Sequence, residues 1–488
     1  MIPTQSKGFP TLGDFHSEFK YGITAQVSET DSSEEFTTEK YVIHLNDYKK
    51  RMASIDELTD PRLKKLQELL NANSSNPRQT YIQVSNLLDA LSNNYDGLRG
   101  PNKDFFERVL RGKFESNGIN DLFTKWIPEN QDPKDYVKKS LCGTEKQKGV
   151  IPRLWQSFKG NLNKQNFLEY MNVPHLRATI ETKDKKTFLR HACPTPTLDL
   201  TIGQIVLKTL SNLGVNFLRL ISFNKIKLES YHPDQVSPQF RAYLKLLKTN
   251  GETVVYSTLQ TPISPKIAGI WRNESSRVKA IQKAVEAEGH YFLNTSLDPK
   301  KKSGYASFAF SGKKDFDFLK QNLLDAFDSQ SAECGFIVPE RYRGKIELKN
   351  IITTLKNKCY SDISNFDTTA WNGFVQNVFV LTRLKLLTVV DANPGKPIHV
   401  FASCMDDIDR GGNQYALERK WLAKDDEEMN RVMREVYGRL FMVKSRGMVK
   451  HWEERMENAL ERVPKTHDER KAFLENCGIH LEVNAIKS

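Results

Sequence analysis

Residues 397–412 read PIHVFASCMDDIDRGG, and this stretch decides how the rest of the chain is interpreted. Its first part is a short apolar segment typical of a buried strand, and the turn residues 393–395 precede it. Cys404 follows the strand, Arg410 stands six residues later, and a helical pattern begins at Gln414. A strand, a tight loop and a helix in this order point backbone N–H groups at an anion. The stretch therefore predicts an anion-binding loop between a strand and a helix.

A cysteine at the start of such a loop has a defined chemistry. The thiolate is the reactive form, and the N–H groups and the helix start stabilise negative charge, so we expect a lowered pKa for the Cys404 thiol. The same N–H groups would hold phosphate oxygens, and Arg410 offers a planar fork that matches two of them. Attack of the thiolate on phosphorus gives a phospho-cysteine. Asp409, beside Arg410, is the nearest carboxyl able to protonate the leaving alkoxide.

Other interpretations of these residues stay open at this point. A Cys-x5-Arg spacing arises by chance in a chain with six cysteines and many arginines, so the spacing alone is a weak pattern. Cys404 also fits a buried structural residue at the end of a strand. Two further carboxyls compete with Asp409 as proton donor: Asp367, expected on a mobile loop, and Asp391, which precedes the strand. His399 alternates along the strand and is expected to be packed.

The loop CMDDIDR, residues 404–410, resembles the active-site loop of cysteine-dependent phosphoinositide phosphatases of the Sac and myotubularin types. Loops of those types also carry an aspartate two residues after the cysteine and another just before the arginine, which correspond here to Asp406 and Asp409. The resemblance implies Cys404 as the nucleophile, Arg410 as the phosphate-binding residue and Asp409 as the proton donor. It also implies a cysteine-phosphatase-like core around the loop.

A looser likeness, to phosphatases that intracellular bacteria secrete into host cells, runs from about residue 180 to 420. It rests on three short segments, TFLRH at 187–191, STLQ at 257–260 and ESSR at 274–277. From the first segment, Arg190 and His191 are candidates for contact with the substrate. In the last segment, Glu274 and Arg277 also fit an ordinary ion pair at the start of a helix.

Two features of the loop depart from the family pattern. Many such enzymes carry a hydroxyl residue directly after the arginine, where it supports thiolate release, and this chain has Gly411. Slower breakdown of the phospho-enzyme, or a substitute hydroxyl such as Ser403, is expected. The loop also holds three aspartates and no lysine, and like-charge repulsion disfavours extra phosphates near the reacting one. The expected substrate is therefore a phosphoinositide with few phosphates. A protein tyrosine or dual-specificity phosphatase and an inactive phosphate-binding module are the alternatives.

The remaining site residues are expected to bind the substrate rather than to react with it. They are Met405, Asp406, Asp407, Ile408, Gly411 and Gly412 in the loop, with Arg190 and His191 outside it. No cofactor and no metal are expected, because Arg410 and the backbone supply the charge neutralisation.

The net charge and the cysteines indicate which partners and which cellular compartment to expect. The 488 residues carry a net charge of +12, which favours an anionic partner such as a phosphorylated substrate at an anionic membrane surface, although plain solubility explains it equally well. No nucleic-acid-binding signature, transmembrane segment or signal-peptide pattern is found. Six scattered cysteines suit a reducing compartment. We expect a soluble cytoplasmic protein, or one secreted into a host cell and peripheral to its membranes.

The alternation of strands and helices from about residue 150 predicts an α/β fold, with α+β as the alternative, and places the loop at the carboxyl end of a strand. Expected strands are 215–221, 253–257, 290–294 and 396–401, and expected helices are 55–70, 82–91, 205–213, 276–288, 314–328, 375–387 and 414–422. The predicted domains are a mainly helical accessory region at 1–150, a catalytic domain at 151–424 and charged helices at 425–488. Residues 1–40 are expected to be irregular, and Arg431, Arg434 and Arg439 to lie on a solvated or membrane-facing surface.

Overall fold

The computed structural model describes most of the chain and consists of a small mixed sheet with helices on both faces. It describes residues 32–52, 57–72, 74–115, 124–142, 176–182, 185–191, 197–198, 232–260, 274–295, 314–329, 336–404, 409–442, 448 and 450–480. The mixture of helix and strand is compatible with the predicted α/β class. The predicted elements at 205–213 and 215–221 lie outside the described residues.

The strands are short, and the helices make up most of the described chain. The strands are β1 Leu176–Thr182, β2 Lys185–His191, β3 Thr197–Leu198, β4 His232–Val236, β5 Thr253–Thr258, β6 Tyr291–Thr295, β7 Lys314–Asp315, β8 Phe336–Ile337, β9 Asn365–Phe366 and β10 Pro397–Ser403. The described helices are α1 Ser32–Lys50, α2 Pro61–Asn71, α3 Pro77–Asn93, α4 Gly100–Glu115, α5 Pro133–Cys142, α6 Pro238–Thr249, α7 Glu274–Ala287, α8 Phe316–Ser329, α9 Glu340–Ile346, α10 Leu348–Cys359, α11 Thr368–Val389, α12 Arg410–Leu422, α13 Asp426–Met442, α14 Lys450–Glu461 and α15 His467–Asn476.

The strand that leads to Cys404 lies inside the sheet. The strand order is β1-β2-β10-β5-β6-β8, and β10 pairs in parallel with β2 on one side and β5 on the other. β5 also pairs in parallel with β6, whereas β1 and β8 are antiparallel edge strands. The carboxyl ends of β2, β10, β5 and β6 therefore lie at one edge of the sheet, which is where open α/β sheets place their ligands.

The two faces of the sheet contact separate hydrophobic cores. Side chains alternate along each strand, so Val255 and Val400 belong to one core and Tyr256 and Phe401 to the other. The first core holds residues of α8–α12, α14 and α15, and the second holds residues of α1–α4, α6 and α7. The central strands are covered on both faces, as parallel strands require.

The N-terminal helices share the second core with the sheet. The rings of Phe114 in α4 and Tyr243 in α6 stack at a centroid distance of 4.5 Å, and Phe240 in α6 meets Phe401 in β10 at 5.6 Å. The described part of the N-terminal region therefore packs onto β10 through α6.

Two boundary predictions in this region need correction. The irregular lead-in predicted up to residue 40 is wrong for 32–40, which begin α1, while 1–31 lie outside the described residues. The helix predicted from residue 55 begins at Pro61, because Asp60 caps it by accepting a hydrogen bond from the Arg62 N–H at 2.8 Å.

The C-terminal helices pack against α11 and α12 rather than lying on a solvated surface. Arg439 is 1% exposed, and its guanidinium lies 5.1 Å from the Tyr415 ring centroid. Arg434 is also buried and donates to the Thr124 carbonyl at 3.3 Å. The expectation of a solvated arginine surface on α13 is therefore wrong for two of its three arginines. No helix among the described residues is long and apolar enough to cross a membrane.

Candidate active site

Strand β10 delivers Cys404 to the carboxyl edge of the sheet. The residue follows Ser403 directly and is 3% exposed, so its thiol lies within the protein rather than on the surface. Both flanking strands pair with β10, which fixes the position of the backbone at this point. The next four residues carry predicted substrate-binding roles, and they lie outside the described residues: Met405, Asp406, Asp407 and Ile408.

Arg410 begins the helix that follows the loop. Helix α12 has 13 residues, Asp409 is its N-cap, and the Asn413 N–H makes the first helical hydrogen bond, to the Asp409 carbonyl at 3.1 Å. The N–H groups of the first turn, at Arg410, Gly411 and Gly412, precede that bond and have no acceptor within the helix. They contribute the positive end of the helix dipole to the loop. The Asp409 side chain makes no capping hydrogen bond, so its carboxyl is not committed to the helix start.

The second glycine after Arg410 is not required by the packing around it. A Cβ at Gly412 would lie 3.5 Å from the Val436 side chain on α13 and 3.5 Å from Met448, which are ordinary van der Waals distances. The predicted substrate-binding role of Gly412 therefore rests on its backbone N–H.

The Arg410 side chain turns toward the neighbouring strands. Its Nη1 donates to the Leu259 carbonyl, just past β5, at 3.0 Å. Asn294 in β6 donates to the Gln260 carbonyl at 3.0 Å and so ties the ends of β5 and β6 together. One of the five guanidinium N–H groups is thus used for positioning, and the guanidinium is anchored over the carboxyl edge of the sheet.

A second guanidinium lies near Arg410. Arg277, in the first turn of α7, is 2% exposed, and burial together with the positive charge of Arg410 lowers the pKa of Arg277 to about 9. The mutual repulsion of the two cations and the burial of Arg277 both act against its charged form. The structure places Arg277 close to Arg410. The ESSR segment was the only signal for it. The ion pair predicted between Glu274 and Arg277 stays a prediction, because the side chain of Glu274 lies outside the described part of the structure.

A small pocket opens beside Arg410. Its cavity volume is about 10 Å³, which is room for about one water molecule. It is lined by Leu259, Thr295, Gln376, Arg410, Asn413, Gln414 and Leu417. Cys404 is not among the described residues that line it. The three amide side chains were missed by the sequence analysis, because Gln376 comes from the middle of α11 and no local motif links it to the first turn of α12.

Arg190 and His191 are placed by their backbone only. They end β2, and Arg190 pairs with Phe401 across the parallel ladder between β2 and β10. Both residues therefore lie at the same edge of the sheet as Cys404, as a role in substrate binding requires.

The rival proton donors have structural roles. Asp367 is the N-cap of α11 and accepts a hydrogen bond from the Ala370 N–H at 2.8 Å, so it does not lie on a mobile loop. Asp391 is exposed and pairs with Arg341 at the opposite end of β10. Among the carboxyls considered from the sequence, Asp409 is the described one next to Arg410.

One group of side chains has the composition of a metal site. Ligand atoms of Glu115, Glu252 and His399 lie within 4.8 Å of one another. Arg111 contacts both carboxylates, and Arg51 lies 2.7 Å from Glu115. Burial alone would raise the pKa of Glu252, but its hydrogen bonds to His399 and Arg111 outweigh burial and lower it. The arginines already neutralise the carboxylates, so the group is an ion-pair network rather than a metal centre.

Comparisons with known proteins give no relative. No protein-family model matches this chain, and neither a curated protein nor a solved structure matches it at a significant level. The chemistry of the site is therefore inferred from its own residues.

Proposed function

We propose that this protein is a cysteine-dependent phosphatase that hydrolyses a phosphate monoester through a phospho-cysteine intermediate. One observation carries the proposal. Cys404 ends a central parallel strand, and Arg410 begins the next helix six residues later with its guanidinium anchored at the end of the adjacent strand. The buried Arg277 adds a second positive charge at the same corner. A phosphate dianion is the ligand that such a corner favours.

The reaction is a double displacement at phosphorus. The Cys404 thiolate attacks phosphorus, the bond to the ester oxygen breaks, and Asp409 gives its proton to the leaving alkoxide. Arg410 and the N–H groups at the start of α12 stabilise the charge on the phosphate oxygens. Water then attacks the phospho-cysteine, its proton returns to the Asp409 carboxylate, and inorganic phosphate and the thiolate are released.

The proposed substrate is a phosphoinositide with few phosphates, met at an anionic membrane surface. The resemblance of residues 404–410 to phosphoinositide phosphatase loops and the three aspartates of the loop support this choice. The net charge of +12 fits approach to an anionic surface. No metal or cofactor takes part in the proposed steps.

Phosphate release over a full phosphoinositide panel and a set of phosphotyrosine peptides tests the proposal. The Cys404→Ser variant should bind the substrate and release no phosphate. Cys359→Ser is the matched control, since burial raises the pKa of Cys359 to about 12 and its thiol is protonated at neutral pH. Full activity of Cys404→Ser, or loss of wild-type activity in EDTA, would contradict the mechanism.

The substrate panel also separates the alternatives. Release from phosphotyrosine peptides alone would identify a protein phosphatase on the same loop. Binding of phosphate esters without phosphate release from any of them would identify an inactive phosphate-binding module. The missing hydroxyl at Gly411 and the burial of Cys404 would then explain the lack of activity.

A further inference from the structure

The pocket beside Arg410 is lined by three buried amide side chains. Gln376 on α11 is 3% exposed, and Asn413 and Gln414 on α12 are 4% and 5% exposed. The Nε2 atoms of both glutamines and the Oδ1 atom of Asn413 have no hydrogen-bond partner among the described residues. Because buried polar atoms that stay unpaired destabilise the folded state, these three atoms indicate a ligand in the pocket.

The chemistry of the amides determines which atoms donate and which accept. A carboxamide nitrogen only donates hydrogen bonds and a carboxamide oxygen only accepts them. The Nδ2 of Asn413 donates to the Trp452 carbonyl at 2.8 Å, which identifies the other branch of this amide as the acceptor. The two glutamine nitrogens cannot hydrogen-bond to each other, since both are donors. The pocket therefore presents two donors and one acceptor to a ligand.

The size of the pocket and its mixed polar groups select one ligand. The cavity volume of about 10 Å³ is room for one water molecule and for nothing as large as a phosphate. Two N–H donors would repel a small cation, and the carbonyl oxygen of Asn413 would repel a halide ion. A neutral molecule that both donates and accepts hydrogen bonds matches all three atoms. Water is such a molecule, and a buried water typically makes about three hydrogen bonds.

We propose that one water molecule is a fixed part of this protein and joins α11 to α12. It accepts hydrogen bonds from the Nε2 atoms of Gln376 and Gln414 and donates one to the Oδ1 of Asn413. Asn413 directly follows Gly411 and Gly412, so the water holds the first turn of α12 against the middle of α11. The water site itself does not depend on the proposed function. Within that function, the water positions the N–H groups that contact the phosphate.

A high-resolution crystal structure of the full-length protein tests the site directly. One ordered water should lie about 2.7–3.2 Å from each of the three amide atoms. The Gln376→Met variant keeps a similar side-chain volume and removes one donor, and the water should be lost or poorly ordered in its structure. Lack of an ordered water in the wild-type pocket, or a direct hydrogen bond from either glutamine to Asn413, would overturn the proposal.

Amide hydrogen exchange measures the role of the water in solution. The Asn413 N–H donates to the Asp409 carbonyl at 3.1 Å, so its exchange rate reports on the first turn of α12. Gln376→Met and Gln414→Met should each speed this exchange by about tenfold, as expected for one lost hydrogen bond of a buried group. Gln321→Met, on the exposed face of α8, is the matched control and should leave the rate unchanged.

The double variant distinguishes one shared water from two separate contacts. Once one donor is lost, the water is already weakly held, so the loss of the second donor should add little. The Gln376→Met/Gln414→Met protein should therefore exchange about as fast as the faster of the two single variants. Rate increases that multiply, or unchanged exchange in both single variants, would overturn the shared water. Phosphate release by the wild type is measured separately and tests the proposed function alone.

Discussion

Two clusters of buried polar groups differ in how far their members satisfy one another: one surrounds His399 in the middle of β10, and the other lies beside Arg410 past the carboxyl edge of the sheet. In the network of Glu115, Glu252, His399 and Arg111, the carboxylates pair with basic side chains. Glu252 contacts His399 at 2.5 Å and also pairs with Arg111. The pocket beside Arg410 has guanidinium and amide donors and no acidic residue among its described lining. The members of the network satisfy one another, whereas the amide nitrogens of Gln376 and Gln414 in the pocket have no hydrogen-bond partner among the described residues.

The difference concerns how the buried polar groups of the two clusters are satisfied. The network joins α4, the residue before β5 and the middle of β10. Helix α6 joins it as well, because the Tyr243 hydroxyl donates a hydrogen bond to Glu115 at 2.9 Å. The network's composition resembles that of a metal site, yet it stabilises the fold. The pocket has no metal-site composition, and two of its buried amide nitrogens have no hydrogen-bond partner within the described part of the chain. Whether buried polar groups satisfy one another is therefore a better guide to a structural cluster than residue type.

The largest expected effect concerns the proton donor. Asp409→Asn should slow hydrolysis of a phosphoinositide by about 100- to 10,000-fold, because an alkoxide leaves badly without a proton. An aryl phosphate with a good leaving group should lose much less activity. The measurement is kcat of the Asp409→Asn variant on each of the two substrates, relative to wild type.

Equal losses on both substrates would assign Asp409 to shaping the loop. Asp367 provides the matched control because it is the rival carboxyl and caps α11. Asp367→Asn should leave the ratio between the two substrates unchanged.

The next largest effect separates the two clusters through their arginines. Arg410→Lys should lower kcat/KM by roughly 100- to 1,000-fold, because an ammonium cannot replace the planar fork at the transition state. Its unfolding temperature should change little. Arg111→Lys should do the reverse, with near-normal kcat/KM and a lower unfolding temperature. Loss of activity in both variants with equal loss of stability would remove the distinction between network and pocket.

The sequence could predict the strand, the cysteine, the arginine and the helix of the loop, because these are local. The strands at 253–257, 290–294 and 396–401 are confirmed to within two residues, since apolar runs with turn signals determine them. Gln376 could not be found, because it comes from α11 and only the packing of α11 against α12 brings it to Arg410. The sequence could predict that His399 is packed. It could not predict its partner Glu252, which lies directly before β5 and far from His399 along the chain.

A stability measurement tests the network directly. Glu252→Gln keeps the shape of the side chain but removes the carboxylate that His399 and Arg111 share, so the free energy of unfolding should fall by about 3 kcal/mol. Urea denaturation at pH 7 measures it. The exposed pair of Arg462 and Asp362 is the control, and Asp362→Asn should cause no measurable change. A Glu252→Gln protein as stable as wild type would show that the network contributes nothing.

The smallest effect is the pH dependence of stability, and two buried carboxyls should act in opposite directions. The pKa of Glu252 is lowered in the folded protein, because hydrogen bonds to His399 and Arg111 outweigh burial. The pKa of Glu435 on α13 is raised, because burial outweighs its hydrogen bond to Tyr415 and the nearby arginines. Relative to the usual value of 4.5, the unfolded chain binds more protons at Glu252 and fewer at Glu435.

The stability due to Glu252 is therefore complete above about pH 5 and is lost as the pH falls through its lowered pKa, by at most about 1.4 kcal/mol per pH unit. The stability due to Glu435 is complete below its usual pKa and is lost as the pH rises through its raised pKa. Urea denaturation from pH 3 to pH 7 should show a flatter acid limb in Glu252→Gln and a smaller loss toward neutral pH in Glu435→Gln. Identical profiles for the two variants would contradict the contrast between a carboxyl whose pKa is lowered by its partners and a buried carboxyl whose pKa is raised.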